Sequence, residues 1–406
     1  MDFSLNDTQL HWQHVARKFA QERIAPMARE MDEAGEMPLS LVAEMARLGL
    51  LGSTLPKEFG GSEMDHISQT LVYEELGRAC SSVRGFLTVH SSLVMQCIYT
   101  WGTPEQKKKF LPMLASGEII GCYALTEPEA GSDAASIRTE ARRMEGREAI
   151  PGNNKLTLSE TKQLTGYALN GEKIWITNGN IARLAVVFAK LNGPEFESKK
   201  QHERVTAFLV PLESEGIERT RMPGQELGHR ASDHAHIKFN NCFVSNEMVL
   251  GGEGNGFKVA MSALDFGRLG VAAGALGVHQ ACLDASIAFS RERQQFGQRI
   301  GDFEMIQSTV AEMKASLDAS RLLVYRAAWM KDQGLPTKLE TSVAKYFATE
   351  AACKATSDAV LLHGGRGYSN EYPVERYYRD IKGLQIYEGT SHIQKIVIAR
   401  EVIGKP

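Results

Sequence analysis

Apolar positions divide the chain into three stretches with different periods. From residue 1 to about 119 they recur three and four apart, as in Leu41, Val42, Met45 and Leu48 and again in Leu71, Val72 and Leu76, the spacing that gives a helix one apolar stripe. Asn6 followed by Gln9 has the form of a capping box and predicts a helix start. Pro56, Gly60-Gly61 and Gly102-Thr103-Pro104 punctuate the helices that follow. From about Gly121 the pattern changes to strand-like runs at 186–190, 205–210 and 236–239. Residues 167–177 read as two strands joined by Asn170-Gly171, a dipeptide suited to a tight hairpin. Residues 142–165 are polar and aperiodic, which predicts a long loop or insertion. Helical spacing returns from about Asn246. The small residues of 272–279 allow helices to approach closely, and long amphipathic runs occupy 302–333 and 338–362. The expected order is therefore all-α (1–119), β (120–245), all-α (246–406).

Composition narrows the function classes. The chain has 406 residues, 43% hydrophobic and 23% charged, with a net charge of −3. That balance suits a globular protein and gives no sign of a nucleic-acid or membrane-surface partner. The basic clusters at Lys107–Lys109 and Arg142–Arg147 read as solvated faces and turns. No apolar run is expected to span a bilayer. Met1-Asp2-Phe3-Ser4 leads into a helix without the basic region and apolar core of a signal peptide. The six cysteines form no CxxC pair and no metal-like spacing, so they read as thiols of a reducing compartment, the cytoplasm. No GxGxxG fingerprint appears, which argues against a Rossmann dehydrogenase.

Two segments carry the candidate chemistry: Gln385-Ile386-Tyr387-Glu388-Gly389-Thr390-Ser391, and the Thr- and Gly-rich run from Tyr123 to Ser132. Glu388, on a short loop before the helical run 393–403, is free to reach a cleft. Together these segments resemble the acyl-CoA dehydrogenase family of flavoproteins, from Met1 to about Ile403. The resemblance implies an α+β fold: an N-terminal all-α domain, a middle β-barrel-like domain and a C-terminal four-helix bundle. It also implies FAD as cofactor, an acyl thioester as substrate, an electron-transfer flavoprotein as electron acceptor and a homotetramer.

Removing the weakly acidic α-proton of a thioester needs a positioned base and stabilisation of the developing enolate. Glu388 matches the family's base, with hydride passing from the β-carbon to the flavin. Some relatives carry the base on the helix immediately before an arginine. Here that position is Gly267, in Asp265-Phe266-Gly267-Arg268. The resemblance places Asp265, Arg268, Ser132 and Gly389 at the substrate. It places Tyr123, Leu125, Thr126, Gly131, Ser132, Trp175, Ile176 and Thr177 along flavin and thioester. Arg293 and Phe296 are assigned to the flavin pyrophosphate region, where a guanidinium suits phosphate. His363, Gly364 and Gly365 match a stretch that approaches the flavin of a neighbouring subunit, and Thr390, Ser391 and His392 match the adenosine-diphosphate contacts. Glu304 and Leu361 stand where relatives often have glutamine.

Arg84 carries the substrate question. Its segment is similar to the glutaryl-CoA dehydrogenase branch, in which an arginine meets the distal carboxylate. Its alternative is a protein acid such as Glu74 or Glu75. Gly77 stands where that branch keeps a glutamate. Substrates left open are a short acyl-CoA, a carboxylate-bearing CoA thioester, and an acyl-carrier-protein-linked extender unit of malonyl type. A nitroalkane oxidase is disfavoured because it uses Asp as base, and a flavin-binding relative with a purely binding role is disfavoured by the intact base.

Overall fold

The computed structural model describes residues 4–148, 156 and 163–404. Its first part is helical: α1 (Asp7–Phe19), α2 (Ala28–Ala34), α3 (Ser40–Arg47), α4 (His66–Ala79), α5 (Ser81–Leu87), α6 (Gln96–Trp101) and α7 (Pro104–Ala115). The predicted capping box opens α1. Asn6 Oδ1 accepts from the Gln9 N–H at 2.9 Å, and Gln9 Oε1 accepts from the Asn6 N–H at 3.1 Å. Between α5 and α6 the chain stays helical through a π-helical stretch, Thr88–Met95.

The middle part is a sheet of β1 (Gly121–Ala124), β2 (Glu140–Glu148), β3 (Gln163–Thr177), β4 (Leu184–Asn192), β5 (Val205–Pro211), β6 (Ile217–Arg221), β7 (His234–Ser245) and β8 (Val249–Leu250), with the short α8 (Gln201–Arg204) before β5. The order is β6-β7-β3-β2-β4-β5-β8, with β1 parallel to β4. β4 opens with Leu-Ala-Val-Val-Phe-Ala, buried on both faces, as a continuous apolar run requires.

Two sequence expectations fail in this sheet. Asn170-Gly171 is not a turn, because β3 runs unbroken through it. Gly171 has φ +140° and sits at a register shift against β7, and a Cβ there would lie 2.7 Å from Thr139 Cα. Glycine therefore marks a bulge under a close backbone approach. The polar stretch 142–165 is likewise not all loop: residues 142–148 complete β2 and 163–165 begin β3, paired antiparallel. Alternating polar positions on a strand with one solvated face look aperiodic when the partner strand is unknown. The rest of the expected insertion, apart from Leu156, lies outside the described residues.

The last part contains α9 (Gly256–Glu292), a tight hairpin of β9 (Gln294–Gln295) and β10 (Gln298–Arg299), then α10 (Glu304–Asp332), α11 (Lys338–His363), α12 (Val374–Ile386) and α13 (Ser391–Ile403). α9, α10 and α11 pack on one another, and α12 and α13 close over α11 as the fourth layer of the bundle. α9 also crosses α4 at glycines. A Cβ on Gly77 would lie 2.9 Å from the Gly274 carbonyl oxygen, so the small residues predicted to permit close packing do so here. By length and composition α9 could cross a membrane, contrary to expectation, but 72% of its most apolar window is packed inside the molecule. Its hydrophobicity is that of a central core helix.

Candidate active site

The three parts meet around a cavity of about 350 Å³. α5 supplies Arg84, the π-helical stretch supplies Thr88 and Leu93, and the chain leaving β1 supplies Tyr123, Leu125, Thr126, Gly131 and Ser132. The end of β3 adds Trp175, Ile176 and Thr177, α9 adds Arg268, and the loop between α12 and α13 adds Tyr387, Glu388, Gly389 and Thr390.

The order of these walls has local causes. Lys173, wholly buried on β3, donates from Nζ to the Leu125 carbonyl at 3.1 Å and to Glu127 Oε1 at 2.7 Å. Glu127 also accepts from the Thr139 N–H at 3.0 Å. One buried ion pair thus ties the Thr126–Ser132 loop to the strand bearing Trp175. Trp175 itself has φ +58° and is 51% exposed, an unfavourable state for a large side chain unless a ligand or the surrounding fold holds it.

Glu388 sits at the centre in a left-handed conformation, φ +56°. Its Oε2 is shielded from solvent and has no hydrogen-bond partner among the described residues. The space it occupies exists because residue 267 is glycine: a Cβ there would lie 1.6 Å from Oε2. Burial raises the Glu388 carboxyl to about 7, although Lys345, Arg84 and Arg268 all pull it down.

Arg84 and Arg268 are both buried and both keep an unpartnered Nε. Arg268 Nη1 donates to Asp265 Oδ1 at 2.8 Å, so Asp265 serves the arginine and does not line the cavity. Arg84 Nη2 donates to the Tyr387 hydroxyl at 2.5 Å, and its Nη1 reaches Thr88 Oγ1 at 3.4 Å. The acids weighed as its partners are engaged elsewhere. Glu74 binds Arg321 and Tyr325, and Glu75 binds Arg17. Among the described residues no carboxylate lies within ion-pair distance of Arg84. Beside it, burial and then the Arg84 charge hold His229 well below its ordinary pKa.

The other sequence candidates, Thr390 excepted, lie away from the cavity. Arg293 ends α9, and Phe296, 94% exposed, tops the β9–β10 hairpin. Gly364 and Gly365 are exposed, whereas His363 is buried between Phe289 and Tyr372. Glu304 and Leu361 are exposed on α10 and α11. Ser391 Oγ donates to Glu350 Oε1 at 2.6 Å, and His392 faces outward. Thr390 Oγ1 accepts from the Ile393 N–H at 3.3 Å and caps α13. Sequence reasoning missed Lys345, Gln394 and His229. Lys345 had a visible signal, a charge inside the small-residue stripe Thr341, Ala344, Ala348, Thr349 and Ala352 of α11, all buried.

The residues present fit a flavin. The hydroxyls of Thr126, Ser132 and Thr177 have no side-chain partner among the described residues, and a Cβ on Gly131 would meet open space. Together with the half-exposed indole they offer a planar wall fringed by hydrogen-bonding groups.

Comparison with known proteins agrees with this arrangement. The patterns of the acyl-CoA dehydrogenase N-terminal, middle and C-terminal domains match residues 6–118, 122–242 and 254–403. A probable acyl-CoA dehydrogenase of Bacillus subtilis (strain 168) is 40% identical over 99% of this chain and 100% of its own. The solved butyryl-CoA dehydrogenase of Megasphaera elsdenii is 36% identical over 99% of this chain and 100% of its own, with a TM-score of 0.90. A glutaryl-coenzyme A dehydrogenase in complex with glutaryl-CoA is 34% identical over 100% of this chain and 97% of its own, also with a TM-score of 0.90. The chain belongs to the acyl-CoA dehydrogenase family, a family of FAD-dependent oxidoreductases.

Proposed function

We propose that this protein dehydrogenates a short acyl thioester between its α- and β-carbons, with Glu388 as the base. The observation that carries this reading is the unpartnered Glu388 Oε2, facing a cavity and shielded from water. A carboxyl held near neutrality is ionised enough to take a weakly acidic proton and basic enough to keep it. FAD supplies the hydride acceptor when bound. Thr126, Ser132, Thr177 and Trp175 would hold its ring system, Arg268 would lie by the thioester, and the Glu388 backbone N–H would donate to the thioester carbonyl.

A second reading concerns the far end of the acyl group. Among the described residues Arg84 is a buried cation with no carboxylate at ion-pair distance, and such a charge is costly unless an anion completes it. Tyr387, Thr88 and neutral His229 surround it with polar groups. This favours a substrate with a distal carboxylate, carried on coenzyme A or on an acyl carrier protein. Gly77, where the glutaryl-CoA dehydrogenase branch keeps a glutamate, packs too closely against Gly274 for a side chain, so recognition of the carboxylate would rest on Arg84 without that glutamate.

The exposed Phe296, Gly364, Gly365 and Leu361, remote from their own cavity, support a homotetramer in which copies complete each other's flavin sites. The reading includes an electron-transfer flavoprotein as acceptor and a cytoplasmic location. The test is anaerobic bleaching of the flavin. Reduction by butyryl-CoA supports the simple short-chain reading, and reduction mainly by glutaryl-CoA supports the carboxylate reading. A bound flavin reduced by neither CoA ester, but by a carrier-protein thioester, selects the carrier-linked substrate. Reduction by none of them defeats the proposal.

A further inference from the structure

Lys345 is a buried cation that the reaction as outlined does not use. It is 1% exposed and lies on α11 directly behind the Glu388 loop. Its Nζ donates to the Gly389 carbonyl. That carbonyl also accepts from Gln394 Nε2 at 2.9 Å, and the same amide reaches the Glu388 carbonyl at 3.2 Å. Two donors from two helices, α11 and α13, therefore clamp the peptides on the C-terminal side of Glu388. Glu388 and Gly389 both have positive φ, +56° and +91°. Such a conformation at a non-glycine residue persists only when its surroundings over-determine it.

Among the described residues no carboxylate lies within ion-pair distance of Lys345. Glu350, one turn along α11, is taken up by Gln385 at 2.8 Å and Ser391 at 2.6 Å. Burial lowers the Lys345 ammonium's pKa most; of the charges that face it, Glu388 raises it, Arg268 lowers it and Glu350 raises it. The other charges facing Glu388 are Arg84 from α5 and Arg268 from α9. Those two line the cavity, whereas Lys345 does not and stands on the protein side of the loop.

We propose that Lys345 is a positioning residue for the base: its ammonium clamps the Gly389 carbonyl and favours the ionised form of Glu388 from behind. The clamp fixes the backbone that aims the carboxylate into the space beside Gly267. Because Lys345 is not exposed to the cavity, it performs this task without touching substrate. The proposal rests on the reading of Glu388 as the base.

The test uses the flavin-loaded protein and two measurements. One is the pH profile of flavin reduction; the other is the pH titration of the Glu388 carboxyl by difference infrared spectroscopy, assigned by its loss in Glu388→Gln. In Lys345→Met the stem is kept and the ammonium lost. The expected results are a titration midpoint moved upward by about one pH unit or more and a reduction rate at neutral pH about tenfold lower. Lys345→Gln retains an amide donor without charge. Its midpoint should move likewise, with a smaller loss of the limiting rate at high pH. A folded, flavin-bound Lys345→Met or Lys345→Gln with the parent's midpoint and rate overturns the proposal. So does failure of both variants to fold, which would make Lys345 purely structural. If Glu388→Gln reduces as fast as the parent, the base reading itself falls, whatever the lysine variants do.

Discussion

Glu388 Oε2 lies 1.6 Å from where a Cβ on Gly267 would be, so the carboxylate and any side chain at 267 claim the same volume. Adding one methyl in Gly267→Ala must displace the carboxylate. The expected result is a folded, flavin-containing protein whose reduction by substrate is slower by at least about 100-fold, as a misplacement of about 1 Å costs. Stopped-flow bleaching of the flavin checks this.

Raising the Glu388 carboxyl to about 7 has consequences of fixed sign. The base works only when ionised, so flavin reduction should rise with pH through a midpoint near neutrality and level off above it. The folded state holds this proton more tightly than the unfolded chain. Ionisation therefore costs stability, and the loss appears as pH rises from the ordinary glutamate range to about 7. A rate that falls with rising pH across this range would contradict the assignment.

If Arg84 recognises a distal carboxylate, Arg84→Gln should lower kcat/KM for a dicarboxylyl thioester by about 10- to 100-fold, the worth of a charged hydrogen bond. A monocarboxylyl thioester should lose less, only what the rise of the Glu388 carboxyl costs once the Arg84 charge is gone. Preference for the dicarboxylyl substrate that survives the substitution would dismiss the second reading.

Lys173 and Glu127 form a buried pair, and removing one partner leaves the other charge uncompensated. Lys173→Met should destabilise the protein by roughly 3–5 kcal/mol and free the Leu125–Ser132 segment. Chemical unfolding would read the first effect and flavin retention on gel filtration the second.

Some of this was legible in the chain and some was not. The α, β, α order followed from hydrophobic period, and the Asn6–Gln9 start of α1 from capping chemistry, because both are local. Asn170-Gly171 misled because its glycine answers a non-local demand, the approach of Thr139 just before β2. At the site, the run from Tyr123 to Ser132, Trp175–Thr177, Arg268 and Glu388 were found as motifs, and the structure brings them to one cavity. Lys345 and Gln394 escaped because they act on backbone carbonyls, and which carbonyl a buried amide or ammonium meets depends on how α11 and α13 dock. The freedom of Arg84 from Glu74 and Glu75 was equally invisible, since it rests on Arg321, Tyr325 and Arg17 reaching those acids first.

α9 also acts as a ruler. Arg268 on its cavity side and Arg293 at its end are separated by 25 residues of one helix, and at about 1.5 Å per residue that is about 37 Å. A helix of that length lets no single small ligand touch both arginines of one chain. If Arg293 grips a flavin's pyrophosphate while Arg268 tends the thioester beside a flavin ring, the two serve different flavins. Each protomer would then be host at one end of α9 and guest at the other, and dilution to monomers would release flavin from every cavity at once.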